Sequence, residues 1–249
     1  MVNKKRKKGM LGKGRTNNNF LKKNYSQSWS FVKESKNFVY VAIGIFLLFV
    51  AVGFFVPPPA DIEQKILEFV QELFLKTEGM SQGELINFIF FNNLQASFFG
   101  MILGIALGVY PLASTILNGY IVGYVSSLSV GAAGFSTLLN LVPHGIFELP
   151  ALFISLGLGL LLGYHSILFL YEFIRYHQRE VPLWLLIILL ILLPILFLII
   201  SFIIDRNNKK FSEDMVTSII NSLRVFAFIV LPLLIVAAII EGSLIFFSR

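Results

Sequence analysis

The first sustained apolar run begins at Phe38, reads FVYVAIGIFLLFVAVGFFV, and is stopped after Val56 by Pro57, Pro58 and Pro59. About 20 apolar residues cross a bilayer as a helix, so the pattern predicts a first span at 38–56. A different pattern follows. In 61–76, Ile62, Ile66, Phe69 and Leu73 recur at helical spacing while Glu63, Glu68 and Glu72 occupy other faces. This predicts an amphipathic helix lying on the membrane surface or against a partner. Ser81 and Glu84 then form a capping-box pattern, and the helix they start should enter the membrane by Phe88 and run to Pro111. Further apolar segments cover 116–133, 137–164, 182–204 and 218–240. The expected fold is an all-α, polytopic membrane bundle of about six transmembrane helices plus the outer amphipathic helix. Segment 116–133 is short, rich in Gly and Ser and bordered by no charge, so a re-entrant hairpin is the alternative there.

Composition agrees with a membrane protein: 56% of residues are hydrophobic and 14% charged, where soluble domains are nearer a quarter charged. Charge then sets an orientation. Residues 1–37 carry eleven Lys/Arg against Glu34 alone, and the rest of the chain carries nine Lys/Arg against thirteen acids. A basic segment before the first span holds the N-terminus in the cytoplasm and touches anionic lipid. Residues 1–37 therefore read as a solvated, disordered cytoplasmic tail, with nucleic-acid binding disfavoured. Residues 38–249 read as one transmembrane helical domain, with 57–84 an outer loop holding the amphipathic helix. Six crossings would return the C-terminus to the cytoplasm and make the chain a multi-pass protein of the cell membrane. Zero cysteines exclude disulfides and thiolate chemistry.

Small residues repeat every four positions in three successive segments. The series are Gly100, Gly104 and Gly108; Gly119, Gly123, Ser127 and Gly131; and Ala151, Ser155, Gly159 and Gly163. Such faces let helix backbones approach closely in lipid. They would either seal the protomer interior or form a homo-oligomer interface.

Polar residues in the apolar middle are few. No Lys or Arg occurs between Lys76 and Arg175, and Glu148 is the only acid between Glu84 and Glu172. Asn140, His144 and Glu148 are four apart and would share one stripe of a helix. Asn92, Asn93 and Asn118 are further candidates in neighbouring segments. An ionised Glu148 would cost roughly 2.5–3.5 kcal/mol at a helix centre, so it should be protonated or paired with His144. Pro143 and Gly145 around His144 read as a local helix break. The stripe could fix the bundle's register through hydrogen bonds, or form a protonatable site in a transport path. An enzyme is not expected: no HExxH, Gly-x-Ser-x-Gly or P-loop occurs, and no metal or cofactor site is foreseen.

Residues 90–165 carry an Asn followed by spaced glycines, an Asn-Gly-x-x-x-Gly stretch from Asn118, and Pro-His-Gly-x-x-Glu from Pro143 to Glu148. This pattern resembles the stage II sporulation protein M family of integral membrane proteins. The resemblance implies shared positions at Asn92 or Asn93, Gly100, Gly104, Asn118, Gly119, Gly123, Pro143, His144, Gly145 and Glu148. It implies a non-enzymatic membrane scaffold working with peptidoglycan-degrading partners during engulfment in spore formers. The basic tail and the amphipathic segment lie outside the core of that resemblance. The expected role is thus a scaffold or component of a larger assembly, with the bilayer, a second copy or outer-side proteins as partners. The alternative is a small transporter or channel using His144 and Glu148.

Overall fold

The structure is a computed structural model that describes residues 3–177 and 209–247. Its described residues form helices and turns without strands. In chain order the helices are α1 (Asn3–Glu34), α2 (Lys36–Phe55), α3 (Ala60–Thr77), α4 (Gln82–Ile102), α5 (Val109–Ala133), α6 (Val142–His177), α7 (Lys209–Val225) and α8 (Leu231–Phe247). Five stretches among the described residues are long and apolar enough to cross a membrane: Lys36–Phe55, Gln82–Ile105, Val109–Ala133, Gly145–Glu172 and Asp214–Phe247. The expected span at 182–204, with Pro194, lies outside the described residues.

Local chemistry explains most boundaries. The proline triplet ends α2, and Val56 is extended. α3 opens on Pro59 with Asp61 and Glu63 in its first turn, where the helix dipole favours acids. The capping box forms as the sequence predicts: Ser81 N donates to Glu84 Oε2 at 2.8 Å and Glu84 N to Ser81 Oγ at 3.4 Å.

The next boundary differs from expectation. α4 gives way to a 3-10 turn at Leu103–Ile105, and Leu107 and Gly108 take positive φ of 56° and 73°. These two residues reverse the chain, so α5 starts at Val109 and Pro111 falls in its first turn. There the missing N–H has no intrahelical acceptor to lose. α5 is a 25-residue helix, which at 1.5 Å per residue is about 37 Å, enough for a full crossing without a hairpin. Gly134, with φ 81°, ends it. Further on, a π-helical turn at Phe226–Val230 joins α7 to α8 just ahead of Pro232. A wide turn there absorbs the missing proline donor and its ring.

Inter-helix register gives the directions. α5 runs parallel to α2, because Gly119 sits on the Phe46 carbonyl and Gly123 on the Val50 carbonyl. α6 runs parallel to α4, pairing Gly100 with Leu156, Gly104 with Gly159 and Gly108 with Gly163. α2 and α6 are antiparallel: Phe46 stacks edge-on to Phe153 at 5.1 Å and Phe38 lies 5.6 Å from Tyr164. α8 is antiparallel to α4, with Phe98 and Phe226 rings 5.4 Å apart and Gln82 Nε2 donating to Ser243 Oγ at 3.0 Å. Half of the apolar window of α6 is buried, against 22–39% for the others, so α6 is the central helix. Met101, Ile105, Ile154, Leu158, Leu162, Met215, Phe226 and Leu234 form much of the core around it.

One expectation is corrected by this packing. The N-terminal segment is helical rather than disordered, and from Phe20 onward it is folded onto the bundle. Ser28 and Ser35 are buried, Phe31 and Val32 pack on the core, and the Phe20 ring is 6.4 Å from that of Phe228. Positions 24, 28, 31 and 35 keep a helical period that the surrounding polar residues obscured. At the other end of the chain, α8 ends on the face where α2 ends and α4 begins. Phe247 therefore lies at the end of the bundle opposite Lys36, while the expected six crossings include 182–204, outside the described residues.

Candidate functional site

The small-residue faces and the polar stripe were the two sequence candidates, and the fold separates them. All three glycine series are used mainly inside the protomer. A Cβ on Gly104 would overlap the Gly159 carbonyl, one on Gly163 would overlap the Gly108 main chain, and one on Gly119 would lie 2.6 Å from the Phe46 oxygen. Gly100 accommodates the Leu156 side chain, and Ser155 is fully buried on α6. The α4–α6 and α2–α5 pairs thus touch backbone to backbone, the geometry that small residues permit in lipid. Gly131 continues the four-residue spacing but has open space around it.

The chain also uses glycines outside these series. Gly157 sits on the Val39 main chain, Gly53 on Tyr120, and Gly242 on Ile86. Gly157 is two residues from Gly159 and so faces a different neighbour, giving α6 one small face for α4 and another for α2. The sequence carried that signal in Gly157-Leu-Gly159, which a search for four-residue spacing skips.

The polar residues are less united than their spacing suggests. Asn140 belongs to a 3-10 turn at Phe135–Leu141, so it does not extend an α-helical stripe through Glu148. α6 begins at Val142, which puts Pro143 in its first turn. Pro-His-Gly is therefore a helix start rather than a break within one, a position where proline is at home. The side chains of Asn140, Pro143 and His144 lie outside the described set. Glu148 is half-buried and has an interaction partner. Extending the α4–α6 register places Asn92 and Asn93 at its level. Asn93 is half-buried, while Asn92 is exposed. Asn118 is exposed on α5 and satisfies its amide locally, donating to the Ser114 carbonyl at 2.7 Å and to Ser114 Oγ at 3.1 Å. Gly145 packs against the Leu149 side chain.

A second polar contact had no forerunner in the sequence reading. Tyr124 of α5 donates its phenol to Glu63 Oε1 of α3 at 2.5 Å, and Tyr120 Oη donates to the Val56 carbonyl at 3.0 Å. Together they pin the start of α3 to the end of the α2–α5 pair.

The chain matches the Stage II sporulation protein M family over residues 42–244, most of its length. It belongs to that family. No curated protein and no solved structure matches it. Family membership and the five apolar helices make the chain a stage II sporulation protein M-like membrane protein. The matched region reaches well beyond residues 90–165. It takes in α3, which lies outside the core of the sequence resemblance, and leaves out α1 entirely. Both glycine-packed pairs of this family member, α2–α5 and α4–α6, lie almost wholly inside the match. The Tyr124–Glu63 contact lies inside it too.

That contact supports a specific expectation. Tyr124→Phe removes a hydrogen bond to a carboxylate that is partly exposed, a loss of about 1 kcal/mol. The bundle should keep its melting temperature while backbone amides of 60–77 exchange with solvent several-fold faster. Unchanged exchange would mean that Ile66 alone seats the helix.

Proposed function

We propose that this family member is a multi-pass protein of the cell membrane that acts without catalysis of its own, as a scaffold in a larger assembly. One observation carries the reading: α3 is built for contact yet largely uncovered. Ile66 is its one buried hydrophobic, while Phe69, Val70 and Phe74 are exposed. Asp61, Glu68 and Glu72 share the side opposite Ile66 and Val70. The Lys76 ammonium, 2.8 Å from Glu72, holds that exposed carboxylate below its usual range by hydrogen bond and charge. Acidic flanks keep such a helix off an anionic membrane surface and leave its apolar face for protein.

The test is co-purification of the outer-side partner from native membranes with wild type and with a Phe69→Ser/Phe74→Ser variant. Each buried Phe contributes about 1.5–3 kcal/mol, so losing both should weaken docking at least about a hundredfold. The variant should retain its melting temperature. Equal recovery of the same partner with both chains would remove α3 as the docking surface.

A further inference from the structure

α4 buries Leu85, Ile89, Ser97, Gly100 and Met101 on one side and turns Asn87, Asn92 and Gln95 outward on the other. These three amides line a shallow groove of about 270 Å³ with Phe88 and Phe91. Asn92 and Gln95 lie about 15 Å and 20 Å along the helix from Gln82, well inside the apolar span Gln82–Ile105. Among the described residues none of the three amides has a hydrogen-bond partner. Hydrocarbon offers no donor or acceptor, and an unsatisfied amide is costly there. A polar surface therefore belongs on this face.

What covers it can be argued from chemistry. Residues 182–204 are the long apolar stretch of the chain outside the description, and their only polar side chains are Trp184 and Ser201. That stretch cannot satisfy three amides. A carboxamide both donates and accepts, so it is complementary to a copy of itself. Two copies of a membrane protein share one orientation, and a two-fold axis along the membrane normal sets equal residues of the two α4 helices side by side. Asn92 then meets Asn92 and Gln95 meets Gln95, as a buried Asn pair fixes register in a parallel two-stranded coil. Phe91 and Phe99, exposed on the same face, supply apolar contact around the amides.

We infer that the amide face of α4 is an isologous interface between two copies of this chain. It is separate from α3, so the scaffold proposal can fail without affecting it. The full chain in native membranes, carrying Gln95→Cys or Asn92→Cys, should form same-residue disulfides under mild oxidation. Leu47→Cys, on an exposed apolar position of α2, should crosslink at least tenfold more slowly. In lipid vesicles, single-molecule photobleaching should report dimers, and Asn92→Leu/Gln95→Leu should raise the dimer dissociation constant at least tenfold while the melting temperature holds. Gln95→Cys reacting no faster than Leu47→Cys, or wild type bleaching in single steps at every protein-to-lipid ratio, would overturn the inference. So would crosslinking of Gln95→Cys to a different membrane protein, which would hand the face to another partner.

Discussion

Replacing Gly159 with leucine should leave little or no folded protein, whereas leucine at Gly44 or Gly131 should leave yield and melting temperature almost unchanged. All three are helical glycines in apolar segments, and only their surroundings differ. A Cβ on Gly159 would overlap the Gly100 carbonyl and lie 3.0 Å from the Pro111 ring. Neither neighbour is a flexible side-chain tip, so relief requires α4 and α6 to move apart along their parallel contact. Overpacking a core costs about 1–3 kcal/mol when side chains can adjust, and more when backbone must shift. Against a total stability of about 5–15 kcal/mol, a larger backbone penalty on the central helix is enough to unfold the bundle. Gly44 and Gly131 have nothing within 4 Å of an added Cβ. Leucine there also recovers the helix propensity that glycine lacks, about 0.5–1 kcal/mol. The measurement is thermal unfolding and detergent-solubilised yield for the three variants side by side. Equal behaviour of Gly159→Leu and Gly131→Leu would mean that the α4–α6 contact is looser than its backbone-to-backbone geometry implies.

The contrast between Gly159 and Gly131 also marks what could be read from sequence. Apolar run length and capping chemistry located α2, α3 and the start of α4, because proline triplets and Ser81–Glu84 act within a few residues. The α4–α5 turn was misplaced by several residues. Pro111 looked like a stop, but the reversal is made by Leu107 and Gly108, and positive φ at a leucine has no composition signature. Four-residue spacing located small faces without showing what each meets: Gly131 has the spacing and no neighbour, and Gly157 has the neighbour without the spacing. The helical period in 20–35 is hidden because polar residues outnumber apolar ones there and its inward residues include modest ones such as Ser28 and Ser35. At the polar stripe, residue identity was legible and secondary structure was not. Asn140 and Glu148 are eight apart, yet a 3-10 turn stands under the first and an α-helix under the second.

A membrane-impermeant maleimide applied to intact cells should label Phe247→Cys as readily as Glu78→Cys, and should label Asn37→Cys only after the membrane is opened. The side assignment follows from the proposed cell-membrane reading: residues 1–37 hold eleven of the chain's 20 Lys/Arg, a segment the positive-inside rule would keep in the cytoplasm. Arg175 near the end of α6 and Lys209 and Lys210 at the start of α7 share that face, so the same rule is obeyed at three separate places. On that reading the candidate spans Lys36–Phe55, Gln82–Ile105, Val109–Ala133 and Gly145–Glu172 would cross outward, inward, outward and inward in turn. α7 and α8 continue as one helix through the π-helical turn, and Gly242 packs on Ile86 at the outer end of α4. Asp214 is within electrostatic reach of His165, on the cytoplasmic half of α6. Entry at Asp214 and exit near Gly242 would make the final helix an outward crossing, which is why Phe247 is expected outside. Expected labelling is all-or-none, since maleimide does not cross the bilayer on the timescale of the reaction. Protection of Phe247→Cys in intact cells, with Glu78→Cys labelled, would require α8 to run the other way. The Gln82–Ser243 hydrogen bond and the Phe98–Phe226 ring contact could not then both exist, because they fix α8 antiparallel to α4.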